Sequence, residues 1–357
     1  MNMAGVSLTL LRRLLALVKD EDETLTTDGV CTTFIKPWTD DAEHKHGLTF
    51  FDCMKMRYSS EKHGVLGLDF AEAFGTGATA TVFISHAWKY QFKDLVSAIE
   101  SFVEDQVSTD KKEHYFWLDL FVNNQHSYTV LPFEWWSTTF KEAIQVIGHT
   151  CIVMAPWENP TPLTRAWCLW EIACTVMMGS KLTFQFSETE RLEFQNKIAE
   201  DFSVCMEVLT NVAVQRSEAQ SSDDKKRILD TVKALDGGNG YHYINMLVSE
   251  LLRTWLAKTA QRMLMNQVRD TALSGSQVYA SMNTVASILS DQGRAEEALP
   301  LFRMAYAGYM KIAADGCAKH KLAAVACGLN LASELSSYGT EESLQEAGVL
   351  LRAGMDY

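Results

Sequence analysis

One glutamate in this sequence stands out as a residue that could do chemistry. Glu171 is the one acidic residue in the stretch WCLWEIACTV, where its neighbours are mostly large and apolar. A carboxylate in such surroundings costs free energy unless it is paired or put to use. Trp167 precedes it by four residues, so on a helix both side chains share one face. An ion pair with Arg165 or Lys89 is the structural alternative to a functional role.

Polar and aromatic residues also follow two predicted strands. Ser85, His86 and Trp88 come at the end of the first strand, and Asp119 comes at the end of the second. Open parallel sheets bind their ligands at the carboxyl ends of the strands, so these side chains fall where such a sheet places a site. Each has a structural alternative: the tryptophan could belong to the core, the histidine could hold the backbone, and the aspartate could cap a turn.

The elements that position these residues alternate along the chain. Apolar runs predict buried strands at residues 81–85 and 151–155, and residues 114–120 and 181–186 are predicted to form two further strands. Apolar residues at helical spacing predict helices between them. This alternation predicts an α/β fold with a flavodoxin-like parallel sheet and helices on both faces. The strand order of such a sheet reverses between the first and third strands.

Two segments around this sheet leave more than one interpretation open. Residues 210–215 could form a fifth strand or continue the preceding helix. Residues 121–137 predict a long loop rich in aromatic side chains, in which Trp135 and Trp136 serve packing. The same loop contains a polar cluster that could line a pocket, consisting of Asn123, Asn124, Gln125 and His126.

The N-terminal extension, residues 1–78, gives few signals. Residues 4–18 predict an amphipathic helix that packs elsewhere in the chain, with a mitochondrial targeting segment as the alternative. Residues 19–30 predict a polar, exposed connection, and residues 69–74 predict a short helix. The rest of residues 31–78 has no assignable pattern.

Composition excludes several classes of protein. A net charge of −13 argues against nucleic acid or an anionic membrane as the main partner. The sequence contains no apolar run of the ~18 residues that a membrane span needs. The eight cysteines are scattered without a Cys-x-x-Cys pair, which indicates free thiols in a reducing, cytoplasmic setting and predicts no metal site. Motifs for dinucleotide cofactors, phosphate loops and nucleophile elbows are also missing.

The chain changes character after the predicted sheet. Helical patterns over residues 221–270 predict a helical bridge, and residues 271–357 contain a weak repeat. In this repeat Leu329 lies 46 residues after Asn283, and Gln345 lies 49 residues after Glu296. Helix pairs at such a period are typical of stacked helical-repeat arrays. Two such pairs are fewer than an independent array needs. Either the long helix before them caps the array, or the chain is a fragment of a longer protein, which is the alternative that we favour.

The sequence resembles two known families. The motifs TVFISHAWKYQFKDLVSAI, FKEAIQVIGHTCIVMAPW and LTRAWCLWEI are similar to the Toll/interleukin-receptor (TIR) family over residues 79–220. The combination of SHAW, DLFVNNQH and WCLWE resembles a divergent TIR-like group that often precedes tetratricopeptide repeats. The repeat at residues 271–357 is similar to the kinesin-light-chain-like form of those repeats.

The TIR resemblance implies an activity and a site. In catalytic members the matching glutamate is required to cleave NAD, which makes Glu171 the candidate catalytic residue. The candidate NAD-binding residues are Ser85, His86, Trp88, Asp119 and Trp167, with the two tryptophans stacking on flat rings and the others bonding ribose or phosphate. NAD would then be a substrate, and no cofactor is implied. The loop that covers the site in the family differs here, so its contacts do not carry over.

Three functions remain open on this evidence. The first is a TIR-like NAD hydrolase or cyclase in intracellular signalling or defence. It would work as a homo-oligomer, with the repeats binding a protein or peptide. The second is a non-enzymatic adaptor of the same fold that acts by protein–protein interaction. The third is an enzyme that transfers a deoxyribosyl group or acts on nucleotide sugars. The first requires an open hollow beside Glu171 that Ser85 and Trp88 line.

Overall fold

The computed structural model describes most of the chain. The described residues are 3–40, 47–57, 66–75, 79–107, 113–126, 133–200, 213–219, 222–269, 275–314 and 316–355. The chain divides into two units. The first consists of Met1–Leu192 and Val212–Val248, and the second of Glu193–Asn211 and Ser249–Tyr357.

The first unit contains one sheet and the helices around it. Its strands are β1 Val6–Ser7, β2 Val82–Ser85, β3 Tyr115–Trp117, β4 His149–Val153 and β5 Lys181–Gln185. Its helices are α1 Leu8–Asp22, α2 Thr27–Val30, α3 Lys36–Thr39, α4 Phe50–Arg57, α5 Phe70–Phe74, α6 Phe92–Val107, α7 Asp119–Val122, α8 Phe133–Ile147 and α9 Ala166–Met177. A π-helical turn, Cys31–Ile35, joins α2 to α3. After α10, Glu188–Glu200, the chain returns to the first unit with α11, Ser222–Ala234.

The predicted α/β class with a mainly parallel sheet is confirmed. The strand order is β1-β3-β2-β4-β5, and β2, β3, β4 and β5 are parallel. β1 pairs with β3 in the antiparallel sense, at the edge of the sheet. The parallel strands follow the order second, first, third, fourth, which is the order of flavodoxin-like sheets. The reversal therefore lies between β2 and β4.

Helices cover both faces of this sheet because alternate strand residues point to opposite sides. Val82 and Ile84 of β2 belong to the buried cluster that includes α1 and α6. Phe83 points to the other side, where its ring stacks on Trp117 at 4.6 Å and meets Phe140 of α8 at 6.2 Å. Ser85 shares that second side.

The N-terminal segment is part of the core of the first unit. The predicted packing helix is confirmed from Leu8 onward, and Leu11, Leu14 and Val18 are buried. The two residues before it form β1 by pairing with β3. The helix begins after Ser7 because the Ser7 hydroxyl accepts a hydrogen bond from the Leu10 backbone N–H (3.1 Å). The short helix predicted at residues 69–74 is also confirmed, as α5.

Three sequence-based assignments around the sheet were wrong. Residues 121–137 do not form one loop: Asp119–Val122 is helical, and α8 begins at Phe133. Helical spacing explains this, since Phe133 continues the apolar face of Phe140. Trp135 is 39% exposed, whereas packing was predicted for it. Val214–Arg216 is a 3₁₀ turn and no strand, and residues 210–212 lie outside the described residues.

The predicted polar connection at residues 19–30 was also wrong. α1 continues to Asp22, and α2 occupies Thr27–Val30. Thr27 and Val30 are both fully buried. The many acidic residues of this stretch made it look exposed, although a few of its side chains are part of the core.

The second unit is helical where it is described. Helix α12, Gly240–Arg269, enters it, and α13 Gly275–Asp291, α14 Ala295–Ala313, α15 Ala318–Tyr338 and α16 Glu341–Met355 follow. Each copy of the sequence repeat lies in a helix pair, so the predicted helical segment is confirmed. The first helices of the two pairs meet where the Asn330 side-chain amide donates to Asn283 Oδ1 (3.2 Å). Among the residues described in both units, no helix is long and apolar enough to cross a membrane.

Replacement of glycine by alanine should change the free energy of unfolding in opposite directions at two positions in the repeats. A Cβ atom on Gly308 of α14 would come within 2.3 Å of the Tyr279 ring, whereas one on Gly348 of α16 would meet nothing closer than 3.8 Å. Gly348→Ala should therefore raise the free energy of unfolding by up to about 1 kcal/mol through helix propensity. Gly308→Ala should lower it by about 1–2 kcal/mol. Urea unfolding followed by far-UV circular dichroism measures both, and equal effects would contradict this packing.

Candidate active site

Helix α9 places its polar side chains over the carboxyl ends of β2 and β4. The Thr175 hydroxyl donates to Thr150 Oγ1 of β4 (2.8 Å), which sets the height of the helix over the sheet. Since α9 connects two parallel strands, it runs back against their direction. One turn earlier on α9, Glu171 is displaced by about 6 Å, or two strand residues. That places Glu171 at the level of Ser85, the partner of Ile152 in the sheet.

The Glu171 carboxyl group is buried without an ion pair. Glu171 is only 8% exposed, and its Oε2 has no hydrogen-bond partner. Within the described part of the chain, neither Arg165 nor Lys89 comes within ion-pair distance, so the structural alternative is wrong. Burial raises the pKa of Glu171 to about 8, with Asp119 adding to the rise and with Ser85 and Arg165 opposing it. The free protein therefore holds Glu171 mostly protonated at pH 7.

Ser85 and His86 bring two more unpartnered polar atoms to this place. Ser85 is fully buried and lowers the pKa of Glu171 from close by, yet its Oγ makes no hydrogen bond of acceptable geometry. His86 is 7% exposed and its Nε2 has no partner. Burial, assisted by the charge of Arg165, lowers the pKa of His86 to about 3, against a hydrogen bond to the Ile84 backbone. His86 is therefore neutral, with Nε2 as a free acceptor.

Trp88 and Asp119 bind each other. The Trp88 indole N–H donates to Asp119 Oδ2 (2.9 Å), and the Leu120 backbone N–H donates to Asp119 Oδ1 (2.9 Å). Burial raises the pKa of Asp119 to about 6, although these hydrogen bonds oppose the rise. The Trp88 ring packs partly buried against the N-terminal core. Trp88 therefore contacts Asp119 and the core, and these contacts do not place it beside Glu171, where the sequence predicted that it would line an open hollow.

Trp167 is held among aromatic rings of α8. Its ring lies 5.5 Å from that of Phe133 and 5.7 Å from that of Phe140. The side chain is half-buried, one turn from Glu171 on the same helix. This packing position and a stacking position against a ligand are compatible, because one face of the ring is enough for each.

The N-terminal segment holds the loop that follows β2. The backbone N–H groups of Thr27 and Asp28 donate to the carbonyls of Tyr90 (2.9 Å) and Trp88 (3.1 Å). The backbone N–H of Phe92 donates to the Leu25 carbonyl (2.9 Å). Helix α2 therefore clamps the loop that leads away from Ser85 and His86, a role that the sequence did not reveal.

The polar cluster predicted to line a pocket mostly stabilises its own turn. The Gln125 amide donates to the Asp119 carbonyl (2.8 Å), and His126 shares a hydrogen bond with Thr39 (2.9 Å). Asn124 donates to the Gly47 carbonyl (3.2 Å). Of the four, Asn123 keeps a buried side-chain nitrogen without a partner. Its neighbour in the chain is α7, which carries Asp119.

Sequence reasoning treated Arg165 only as an ion-pair partner and did not include Cys168. Arg165 directly precedes α9, and its charge lowers the pKa of Glu171, Asp119 and His86. The Cys168 thiol lies 3.9 Å from the His86 carbonyl oxygen, and burial raises its pKa to about 12. A thiol with this pKa is not a nucleophile at neutral pH.

The arrangement can bind hydroxyl groups and place a carboxyl group against them. Ser85 offers a donor and an acceptor, His86 an acceptor, and Glu171 an oxygen without a partner. Within the described residues no group of three histidine, cysteine or acidic side chains could hold a metal ion. The described cysteines are all free thiols, and Cys205 lies outside the described residues. The chain matches no protein-family model, no curated protein and no solved structure.

The raised pKa of Glu171 should make the stability of the protein depend on pH. The folded protein keeps the Glu171 proton up to about pH 8, whereas the unfolded chain releases it near ~4.3, the ordinary glutamate value. The contribution of Glu171 to stability is therefore greatest at low pH and is lost as the pH rises through about 8. Each unit of raised pKa corresponds to about 1.4 kcal/mol, so Glu171→Gln should unfold at higher urea concentration than the wild type at about pH 8.

The comparison needs a matched control and a second pH. At about pH 5 the difference between Glu171→Gln and the wild type should be much smaller, since the folded wild type is still protonated and the unfolded chain gains little free energy by ionising less than about one pH unit above its own pKa. Glu104→Gln on α6 changes an exposed glutamate and should follow the wild type at both values. Tryptophan fluorescence reports the unfolding. A difference that does not change with pH would show that Glu171 titrates normally.

Proposed function

We propose that the first unit is a TIR-like NAD⁺ hydrolase or cyclase that cleaves the nicotinamide–ribose bond. The observation that supports it most is the Glu171 carboxyl, buried without an ion pair beside the unpartnered atoms of Ser85 and His86. These groups occupy the end of β2, next to the reversal of strand order where parallel sheets of this order bind ligands. A purely structural glutamate at this depth would be expected to have hydrogen-bond partners for its carboxyl oxygens, and Oε2 of Glu171 has none.

The reaction makes use of a carboxylate in a dry place. The bond from ribose C1′ to the nicotinamide nitrogen breaks, and both electrons leave with nicotinamide. Nicotinamide departs as a neutral base, so no general acid is needed. The sugar becomes an oxocarbenium-like centre, whose positive charge an ionised Glu171 stabilises more strongly in low dielectric than in water. Attack by water then gives the linear product, and attack by a base nitrogen gives a cyclic one.

Substrate binding supplies the ionised form. The positive nicotinamide ring of NAD⁺ favours the carboxylate over the neutral acid, so its approach lowers the pKa of Glu171. Ser85 and His86 would bond the ribose hydroxyls. Asp119 accepts a hydrogen bond from Trp88, and its negative charge would stabilise the positive sugar without touching it. Trp167 would stack one face of its ring on a base.

The low exposure of Glu171 bears on how the enzyme works. An open hollow is expected for an enzyme, yet only 8% of the residue's surface is accessible. We therefore include assembly in the proposal: a homo-oligomer of the TIR-like unit opens the way to Glu171 and completes the pocket. The helical repeats, proposed as tetratricopeptide-like, bind the protein or peptide that sets this assembly, in cytoplasmic signalling or defence.

The same low exposure favours the second candidate, a non-enzymatic adaptor. In that account Glu171 is a strained core residue, and the fold serves only as a protein-binding surface. Replacing Glu171 would then leave partner binding unchanged, and no condition would produce nicotinamide.

Nicotinamide release from NAD⁺ separates the two. The full chain, tested from dilute to concentrated or crowded solution, should release nicotinamide, and Glu171→Gln should reduce the rate by about 10²–10³-fold. The value of kcat/KM should rise with pH and level off above about 8, as the free carboxyl ionises. Glu104→Gln, on the surface of α6, should behave as the wild type.

Two results would contradict the enzymatic proposal. One is no turnover in any state of assembly. The other is turnover that Glu171→Gln leaves intact while the variant remains folded by circular dichroism, since cleavage would then arise elsewhere.

A further inference from the structure

Arg165 carries a positive charge that the described protein does not neutralise. The residue is half-buried, and no carboxylate of the described residues lies within ion-pair distance of it. Its backbone is fixed, because its carbonyl accepts the first helical hydrogen bond of α9 from Leu169 (3.0 Å). The next backbone N–H, that of Ala166, donates to the Glu218 carbonyl (2.9 Å). The backbone of Arg165 is thus fixed at the start of α9, in a chain whose net charge is −13.

The first turn of α9 offers further donors. No side chain caps this helix. The backbone N–H groups of Trp167 and Cys168 have no acceptor among the residues described. The start of a helix carries a partial positive charge, and free N–H groups there are suited to bind an anion. Arg165 and these two N–H groups therefore all lack an acceptor, and the oxygens of a phosphate group could supply one to each.

Buried polar atoms connect this turn to the candidate site. The Cys168 thiol lies against the His86 carbonyl (3.9 Å), so the end of β2 adjoins the first turn of α9. Ser85, His86 and Glu171 are each more than nine-tenths buried, and each has a polar atom without a partner. The charge of Arg165 is felt at both His86 and Glu171. Acceptors for hydroxyl groups and donors for an anion therefore lie side by side.

We propose that Arg165 and the first turn of α9 form a phosphate subsite, and that the site takes a ribose phosphate. The sugar hydroxyls meet Ser85, His86 and Glu171, and the phosphate meets the Arg165 guanidinium with the Trp167 and Cys168 N–H groups. The site then selects charged nucleotides over neutral nucleosides. This inference rests on the proposed function for the position of the sugar, and it does not require turnover.

Binding of ADP-ribose and of adenosine to the full chain tests the subsite. Calorimetry should show that ADP-ribose binds more tightly than adenosine and that its affinity falls as salt is added. Arg165→Gln should weaken ADP-ribose binding by about 10- to 100-fold, the effect of one charged hydrogen bond, and leave adenosine unchanged. Arg165→Lys keeps the charge and should retain part of the affinity. Arg13→Gln, an exposed arginine of α1, is the matched control.

The outcomes separate this inference from the enzymatic proposal. If ADP-ribose fails to bind at every protein concentration from dilute to crowded solution, or binds equally to the wild type and to folded Arg165→Gln, the phosphate subsite is wrong, even where NAD⁺ is cleaved. If ADP-ribose binding depends on Arg165 while nicotinamide is never released, the subsite stands and the chain binds nucleotides without hydrolysing NAD⁺.

Discussion

A carboxyl group buried without a counter-charge is the constraint on which the rest of this site depends. Ionisation of Glu171 is costly where it lies, and Arg165, whose charge lowers the pKa of Glu171, forms no ion pair with it. The protein accepts this cost because the surrounding structure determines the position of the helix. The hydrogen bond between Thr175 and Thr150 holds α9 to the sheet one turn away. A site that keeps an unpaired acid in a dry place is suited to chemistry that creates positive charge beside it.

The N-terminal segment keeps the other half of the site in position. Helix α2 binds the backbone of the loop after β2, and Thr39 and Gly47 bind the turn after β3. Both loops come from the carboxyl ends of strands, where loop geometry decides which side chains converge. Removal of this segment would therefore affect Trp88 and Asp119 as well as stability. The sheet alone does not build the site.

The sequence was a good guide where one pattern decided the structure. Apolar runs predicted β2 and β4 because strands covered on both faces have few polar positions to obscure the pattern. Glu171 was found because an acid among large apolar residues has few explanations. The two residues of β1 could not be found, since a strand so short has no periodicity. The start of α8 was missed because its tryptophans and phenylalanines suit a loop that packs as well as a helix.

The unpredicted parts of the site depend on contacts between distant residues. No local pattern shows that the Trp88 indole bonds Asp119, or that Arg165 leaves Glu171 unpaired. The role of α2 depends on backbone groups, which carry no sequence signature. The resemblance to the TIR family suggested the activity that we propose for Glu171, and the burial of its unpaired carboxyl is the observation on which that proposal is based.

The most direct test is a titration of the Glu171 carboxyl itself. Carbon-13 NMR of the full chain, labelled at the glutamate carboxyl and compared with Glu171→Gln, identifies the one signal that the variant loses. That signal should titrate near pH 8 in the free protein. A midpoint near ~4.3, the value of an exposed glutamate, would show a carboxyl that is solvated or paired, and would contradict the account.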